Sequence, residues 1–143
     1  TLKVADCVPI YLYDVQNKNF GLIHSGWRGT IGKIVLKGIY KMLDNNSKIQ
    51  NIKVLLGPCI KCCCYEVDHN VSKYFHDSCK VKVKDNKWMI DLHKTIKNDL
   101  LEFGIDHKNI RSSDICTLDT EHCHSYRRNG EHSGRMIGIM GNI

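Results

Sequence analysis

The sequence lacks both a long hydrophobic run and a block of basic residues. A membrane-spanning helix needs about 20 consecutive apolar residues, and the chain contains no such stretch, so no membrane partner is predicted. The formal net charge of +6 favours anionic partners such as phosphate or nucleotides. Because the lysines are scattered along the chain, nucleic acid is not a predicted partner.

Eight cysteines are compatible with a secreted scaffold held together by disulfides. However, Cys62, Cys63 and Cys64 are consecutive, and consecutive cysteines are poorly placed for pairwise bridging. The apolar content of 42% also provides a core that does not need disulfides. Reduced thiols and a cytoplasmic location are therefore predicted.

Strands and helices are interleaved along the chain. Apolar and β-branched segments predict strands over 4–14, 19–25 and 52–58, a strand pair over 81–91, and a last strand within 133–141. Helical spacing of apolar residues predicts one helix after Trp27 and another over 91–104, with Asp91 as its N-cap and Gly104 as its stop. This order predicts a single α+β domain with a mixed sheet.

Cys7 and His24 are candidate metal ligands. Cys7 follows Asp6 within the first predicted strand, and His24 closes the second. If the two strands pair, these side chains meet near one edge of the sheet. Sulfur and imidazole suit zinc, and a catalytic zinc has three protein ligands and a water. Since two ligands do not make a zinc site, a buried structural cysteine beside a hydrogen-bonded histidine remains the alternative.

The segment GPCIKCCCYEV, residues 57–67, contains the half-motif P-C-x-x-C of the nucleobase zinc deaminases. Those enzymes also require H-x-E upstream, and the only upstream histidine, His24, is followed by serine and glycine. The deaminase signature therefore fails. A structural zinc on Cys59 and Cys62 is a second possibility, although a CxxC pair without a partner pair is a weak signal.

Arg28 stands in a turn between Gly26 and Gly29, before the first predicted helix. A fixed guanidinium beside backbone N–H groups at a helix start is suited to an oxyanion or phosphate. As a plain surface residue, Arg28 would be mildly unfavourable there, which favours the functional interpretation. Arg127 and Arg128 form a second cationic patch, which in the simpler interpretation is solvated surface.

Four segments, in this order and spacing, resemble a single family: TLKVADCVPI, IHSGWRGT, LLGPCIKCCCYEV and DICTLDTEHCHSYRRNGEHSGRM. The family comprises the multicopper polyphenol oxidoreductase or laccase-domain proteins, which are associated with purine nucleoside phosphorylase activity and, in bacteria, with peptidoglycan editing. The resemblance covers nearly the whole chain. It implies a layered α/β sandwich with mixed β-sheets, similar to the catalytic domain of cytotoxic necrotising factor.

The resemblance also implies a zinc ion held by three ligands, of which Cys7 and His24 match two. The third is a histidine in a Q-V-H segment upstream of the ADC strand. Residues 1–143 are therefore expected to form a single laccase-like domain that lacks its N-terminal part. If the cysteine-rich loop lies near the zinc, one of its thiols, His122 or His124 is a substitute for that ligand. Copper is less expected, because the histidines are dispersed.

The activity that the resemblance implies is attack of phosphate on a purine nucleoside (adenosine, inosine, guanosine or methylthioadenosine), with adenosine deamination in the same pocket. Zinc would activate water for the deamination. Phosphate and nucleoside are expected to contact Arg28, Tyr65, Arg127 and Arg128. Asp6 and Glu66 are the expected proton-transfer groups, although Asp6 equally suits a role in orienting His24.

Two alternatives stay open. The first is a hydrolase of the same fold that removes wrongly incorporated amino acids from a cell-wall precursor. The second is a catalytically inactive fragment that lacks one zinc ligand. Neither the oligomeric state nor the choice between these substrates is predicted, because both substrates suit a basic surface.

Overall fold

The computed structural model describes residues 1–141 of the chain. Its strands are β1 (Leu2–Val4), β2 (Val8–Asp14), β3 (Phe20–Ser25), β4 (Ile52–Leu56), β5 (Glu66–Asp68), β6 (Lys80–Lys84), β7 (Lys87–Ile90), β8 (Ile110–Ser112) and β9 (Met136–Gly138). Its α-helices are α1 (Trp27–Ile31), α2 (Ile34–Asp44), α3 (His69–Ser72), α4 (Leu92–Phe103) and α5 (Tyr126–Asn129).

A four-stranded sheet in the order β3-β2-β4-β8 contains the most deeply buried strands. β2 is antiparallel to β3 and β4, whereas β4 is parallel to β8, so the sheet is mixed. Ile10 and Leu12 of β2 are fully buried, as are Ile52 and Leu56 of β4. On β4, Lys53 and Leu55 are exposed, whereas Val54 between them is buried. This alternation buries one face of the sheet in the core.

Helix α2 packs against β2 and β3 and also contacts α1 and α4. Its buried residues Val35, Ile39 and Met42 lie on one helical face. The predicted helix after Trp27 is in fact two helices, because Lys33 adopts a left-handed φ of 51° between α1 and α2. No helix within residues 1–141 is long and apolar enough to cross a membrane.

Both predicted ends of α4 are confirmed. The Asp91 Oδ1 atom accepts a hydrogen bond from the Lys94 backbone N–H at 2.8 Å, which caps the first turn. Gly104 ends the helix with a φ of 104°, a conformation that favours glycine. Buried Ile96 and Leu100 join the helix to the core.

Two antiparallel sheets complete the fold. β1 pairs with β9, and β5, β7 and β6 form a three-stranded sheet in that order. The strand pair predicted over 81–91 is confirmed as the β6–β7 hairpin. The predicted class, α+β with a mixed sheet, is confirmed as well.

The strand predicted over 4–14 is wrong in one respect. The chain bends between β1 and β2, where Asp6 has a left-handed φ of 77°. β1 therefore leaves the central sheet and pairs with β9. Cys7 accordingly precedes β2 and does not lie in the middle of a strand.

Candidate active site and cysteine cluster

Cys7 and His24 lie at the same end of the β2–β3 pair. His24 is opposite Pro9 in the antiparallel register, so Gly26, which comes directly after β3, lies beside Cys7. A Cβ atom at Gly26 would lie 3.0 Å from the Cys7 Sγ atom. Glycine at this position therefore leaves space next to the sulfur. Cys7 is half-buried, and His24 is exposed.

The surroundings of Cys7 include two charged residues. Burial raises the pKa of the Cys7 thiol above its ordinary value, and the Asp6 carboxylate raises it further, whereas the Arg135 guanidinium lowers it. In the sequence Arg135 follows closely behind the predicted patch of Arg127 and Arg128, but it is more than 100 residues from Cys7, so the sequence does not place it beside that thiol. The fold therefore places a third cation, Arg135, at the predicted site in addition to Arg28 and Arg127.

Asp6 joins the bend between β1 and β2 to the loop after β8. Its Oδ1 atom accepts a hydrogen bond from the Thr117 hydroxyl at 2.6 Å. Its Oδ2 atom accepts from the Ser125 hydroxyl at 3.0 Å and from the Arg127 backbone N–H at 2.7 Å. Among the described residues no hydrogen bond joins Asp6 to His24, so the expectation that Asp6 orients His24 is not met.

Tyr65 lies among four of the predicted site residues. Burial raises the pKa of its phenol to about 12. The charges of Arg127 and Arg28 lower this pKa, whereas those of Cys7 and Asp6 raise it. The Arg127 guanidinium carbon lies 5.4 Å from the centroid of the Tyr65 ring. Charges that are far apart in sequence thus converge on one phenol, which can donate or accept a hydrogen bond.

Arg28 is the second residue of α1, and its guanidinium carbon lies 4.3 Å from the centroid of the Trp27 ring. Trp27 itself is partly buried against the core and stacks on Tyr74 at 6.4 Å. In residues 1–141 no carboxylate forms a salt bridge with Arg28. The indole therefore orients a guanidinium whose charge is available to an anion.

The neighbouring residues Arg127 and Arg128 have different contacts. The Arg127 Nη1 atom donates to the Glu66 carbonyl at 2.8 Å. Arg128 donates instead to four backbone carbonyls of the loop after β8, those of Thr117, Leu118, Thr120 and Cys123. Arg128 thus holds this loop, whereas Arg127 retains donors for a ligand.

The Glu66 carboxylate forms a salt bridge with Lys87 and, among the described residues, none with Arg127. One of its oxygens lies 3.9 Å from the Lys87 Nζ atom, and the same ammonium lies 2.6 Å from Asp68 Oδ1. Both contacts belong to the paired strands β5 and β7. Only the backbone carbonyl of Glu66 contacts Arg127.

A groove of about 840 Å³ lies between β3 and α2. Phe20, Leu22, Ile34 and Met42 contribute to its walls. His24 also lines it, but Arg28, Tyr65 and Arg127 do not. Because the groove contains only one of the predicted site residues, its volume does not locate the substrate.

All eight cysteines carry free thiols. Within residues 1–141, the only group of three or more potential metal ligands with their ligand atoms within 4.8 Å of one another is Cys63, Cys64 and Cys116. A structural zinc built on Cys59 and Cys62 is therefore wrong, because Cys59 is buried, Cys62 is exposed and no further ligands join them.

The same observation corrects the expectation for the third zinc ligand. No cysteine of the loop completes a three-ligand group with Cys7 and His24 in the described part of the chain, and neither do His122 and His124. The loop cysteines meet Cys116 instead.

Comparison with known proteins identifies the family of the chain. The family model described as multi-copper polyphenol oxidoreductase laccase matches residues 1–142. The chain belongs to this family.

Curated relatives in the laccase family are named purine nucleoside phosphorylase. One from Clostridium acetobutylicum is 36% identical over 143 residues, which cover 95% of this chain and 59% of the relative. One from Borreliella burgdorferi is 35% identical over 131 residues, which cover 87% of this chain and 56% of the relative. The chain thus spans little more than half the length of these relatives.

Solved structures of similar chains confirm the fold. The hypothetical protein YfiH of Bacillus licheniformis has a TM-score of 0.87 at 28% identity, over 94% of this chain and 54% of that chain. YlmD of Geobacillus stearothermophilus has a TM-score of 0.86 at 29% identity, over 94% of this chain and 53% of that chain.

The resemblance to the laccase family implies a zinc ion, and the residues at the β2–β3 end fit one. Cysteine sulfur and histidine nitrogen are both zinc donors. The missing Cβ atom at Gly26 leaves space beside the Cys7 sulfur. Cys7 and His24 would occupy two of the three protein positions of such a site.

Proposed function

We propose that the chain carries part of the active site of a purine nucleoside phosphorylase. The names of the curated relatives support the reaction class. The observation that carries the proposal is the Arg127 guanidinium, which lies 5.4 Å from the centroid of the Tyr65 ring, and the charge of Arg28 also acts on this phenol. This arrangement places cations beside a neutral hydrogen-bonding group, as recognition of phosphate and a nucleoside requires.

Arg28 and Arg127 would bind the attacking phosphate. In the reaction, a phosphate oxygen forms a bond to C1′ of the ribose, the bond from C1′ to the purine nitrogen breaks, and the leaving nitrogen takes a proton. The products are ribose 1-phosphate and the free base. A guanidinium can bind two phosphate oxygens at once, which fixes the nucleophile. Arg128 would act on the loop that carries Arg127 and not on the phosphate.

Tyr65 would contact the nucleoside or the phosphate through its hydroxyl group. Since burial raises the pKa of this phenol to about 12, it stays protonated at neutral pH and can donate a hydrogen bond. Asp6 would act as a positioning residue, because both of its oxygens already accept hydrogen bonds from the loop. For Glu66 to transfer protons, its carboxylate would have to leave Lys87.

Cys7 and His24 would hold a zinc ion together with a third ligand outside the described residues. The ion would supply Lewis-acid activation of water for adenosine deamination. The residues of the chain would orient the nucleoside beside it. Eight free thiols support the additional proposal of a reducing, cytoplasmic location.

The test is release of the purine base from inosine and from adenosine, with and without phosphate. Phosphorolysis requires release that depends on phosphate and yields ribose 1-phosphate, and Arg28→Lys should raise the KM for phosphate at least about 10-fold because lysine cannot bind two oxygens in parallel. Arg111→Lys is the matched control, since Arg111 is an exposed residue of β8. Base release that is independent of phosphate would contradict the proposal.

Deamination is tested separately by conversion of adenosine to inosine. His24→Ala should abolish this conversion together with a bound equivalent of zinc. If the parent chain retains zinc and releases no base, the phosphorylase proposal is wrong for this chain. If it retains no zinc at Cys7 and His24, the metal assignment is wrong, and phosphate-dependent base release then decides the phosphorylase proposal alone.

A further inference from the structure

The cysteine cluster, defined as Cys63, Cys64 and Cys116, has a geometry that suits a single metal ion. The three Sγ atoms lie within 4.8 Å of one another, and those of Cys63 and Cys64 are 3.4 Å apart. With zinc–sulfur bonds of about 2.3 Å, thiolates around one ion are separated by about 3.8–4.0 Å. The Cys63–Cys64 separation is slightly shorter than this value and the other two sulfur pairs lie within 4.8 Å, so small side-chain rotations would bring all three sulfurs to one ion.

Backbone contacts hold the two loops of the cluster together. Cys59 and Cys116 form an isolated parallel β-bridge. The Thr117 N–H donates to the Cys59 carbonyl at 3.0 Å. The Cys64 N–H donates to the Lys61 carbonyl at 2.9 Å, which closes the turn that carries Cys63. The positions of the sulfurs are therefore set by the fold and do not depend on a bound ion.

The Cys116 sulfur already accepts a hydrogen bond from the backbone N–H of Lys61, at 3.4 Å. Such a bond to sulfur compensates negative charge, and metal thiolates in proteins commonly have partners of this kind. The Lys61 ammonium itself points elsewhere, to His93 and to the Ser113 carbonyl. The cluster therefore has backbone N–H support without a cation that would repel a metal ion at the sulfurs.

Exposure increases from Cys116 through Cys64 to Cys63. Cys116 is only 7% exposed, Cys64 is half-buried, and Cys63 is exposed. An ion held by the three sulfurs would have protein on one side and solvent on the other. The site is therefore accessible from solution and leaves a position for water or an added ligand.

We propose that Cys63, Cys64 and Cys116 bind a thiophilic metal ion, Zn²⁺ or Cu⁺, at a site separate from Cys7 and His24. Thiolate ligands select these ions over harder cations. The proposal rests on the cluster alone and does not depend on the proposed phosphorylase activity.

The experiment uses the reduced, metal-free protein with His24→Ala, so that the cluster is tested without the other site. Co²⁺ is added as a spectroscopic substitute for Zn²⁺, because thiolate ligands give it charge-transfer absorption that identifies sulfur coordination. One equivalent of Co²⁺ with this absorption, displaced by one equivalent of Zn²⁺, is expected. Cu⁺ is titrated in parallel against a chromogenic Cu⁺ chelator. The ion that binds more tightly, Zn²⁺ or Cu⁺, is taken as the ion that the site prefers.

Cys63→Ser is the decisive variant, because Cys63 is exposed and its replacement should not disturb the core. It should weaken metal binding by at least about 10-fold. The matched control is Cys62→Ser, the adjacent exposed cysteine outside the cluster, which should bind the metal as the parent does. Circular dichroism checks that both variants are folded.

Three results would each overturn the proposal: binding of neither Zn²⁺ nor Cu⁺, absorption that survives Cys63→Ser, or equal losses in the Cys62 and Cys63 variants. A disulfide between two cluster cysteines that persists in the presence of reductant would also overturn it, since an oxidised pair cannot ligate the ion.

Discussion

His93 should make the stability of this protein depend on pH. It is 5% exposed at the start of α4. Its Nε2 atom lies 3.1 Å from the Gly57 carbonyl and donates to it, whereas its Nδ1 atom lies 2.7 Å from the Lys61 Nζ atom. Since an ammonium group can only donate, Nδ1 must be the acceptor, and the imidazole is neutral.

Burial, together with the positive charge of Lys61, lowers the pKa of His93 from 6.5 to about 4. The unfolded chain therefore binds a proton at a higher pH than the folded chain does. This contribution to stability is complete above pH 6.5 and is lost as the pH falls toward 4. Between about pH 7.5 and about pH 4.5, the expected loss is about 2–3 kcal/mol from this residue alone.

The measurement is the free energy of unfolding in urea, determined at several pH values for the parent and for His93→Gln. Glutamine does not titrate in this range, but it can still donate to one carbonyl and accept from Lys61. The difference in unfolding free energy between the two proteins should therefore change by about 2–3 kcal/mol over this pH range. His122→Gln, at an exposed histidine, should follow the parent curve.

The difference between the two unfolding free energies excludes the contribution of the carboxylates, because these titrate in both proteins. If the parent and His93→Gln lose stability in parallel down to about pH 4.5, the neutral, buried state assigned to His93 is incorrect. A pKa of His93 near 6.5, measured by NMR in the folded protein, would lead to the same conclusion.

Three further substitutions test the packing of the site, each by its free energy of unfolding. Gly57→Ala should cost about 1–3 kcal/mol, because its Cβ atom would lie 2.7 Å from the ring of a buried proline, whereas Gly141→Ala has nothing within 4 Å and should cost nothing. Asp6→Asn keeps a residue that tolerates the left-handed backbone but loses charged hydrogen bonds, so a loss of about 1–3 kcal/mol is expected, against no change for exposed Asp114→Asn. Arg128→Ala removes the hydrogen bonds to the loop carbonyls and should destabilise the chain by about 1–3 kcal/mol. The phosphate affinity of the folded protein should be unchanged. A loss of phosphate affinity without a loss of stability would reverse the roles assigned to Arg127 and Arg128.

The elements that could be predicted from the sequence have local signals. α4 has a cap residue at one end and a glycine at the other, with apolar residues at helical spacing between them. The pairing of β2 with β3, which brings Cys7 and His24 to one end, follows from two alternating segments joined by a short polar turn. In both cases the signal lies within a short stretch of the chain.

What could not be predicted depends on contacts between distant residues. Nothing in the segment around Asp6 shows that its carboxylate meets Thr117 and Ser125, which bend the chain and end β1. Cys116 looks like an isolated cysteine in the sequence, and only the parallel β-bridge to Cys59 brings it to the loop cysteines. β8 is three residues long, too short for an alternation to be recognised.

One loop connects the two candidate sites. It begins at Cys116 in the cysteine cluster, continues through Thr117, whose hydroxyl binds Asp6, and reaches Arg127 beside Tyr65. A metal ion at the cluster would fix the first residue of this path, and Asp6 already fixes the next. Because Cys7 directly follows Asp6, the order of this loop bears on both the arginine that would bind phosphate and the cysteine that would bind zinc. The cluster is therefore placed to stabilise the proposed active site through this loop.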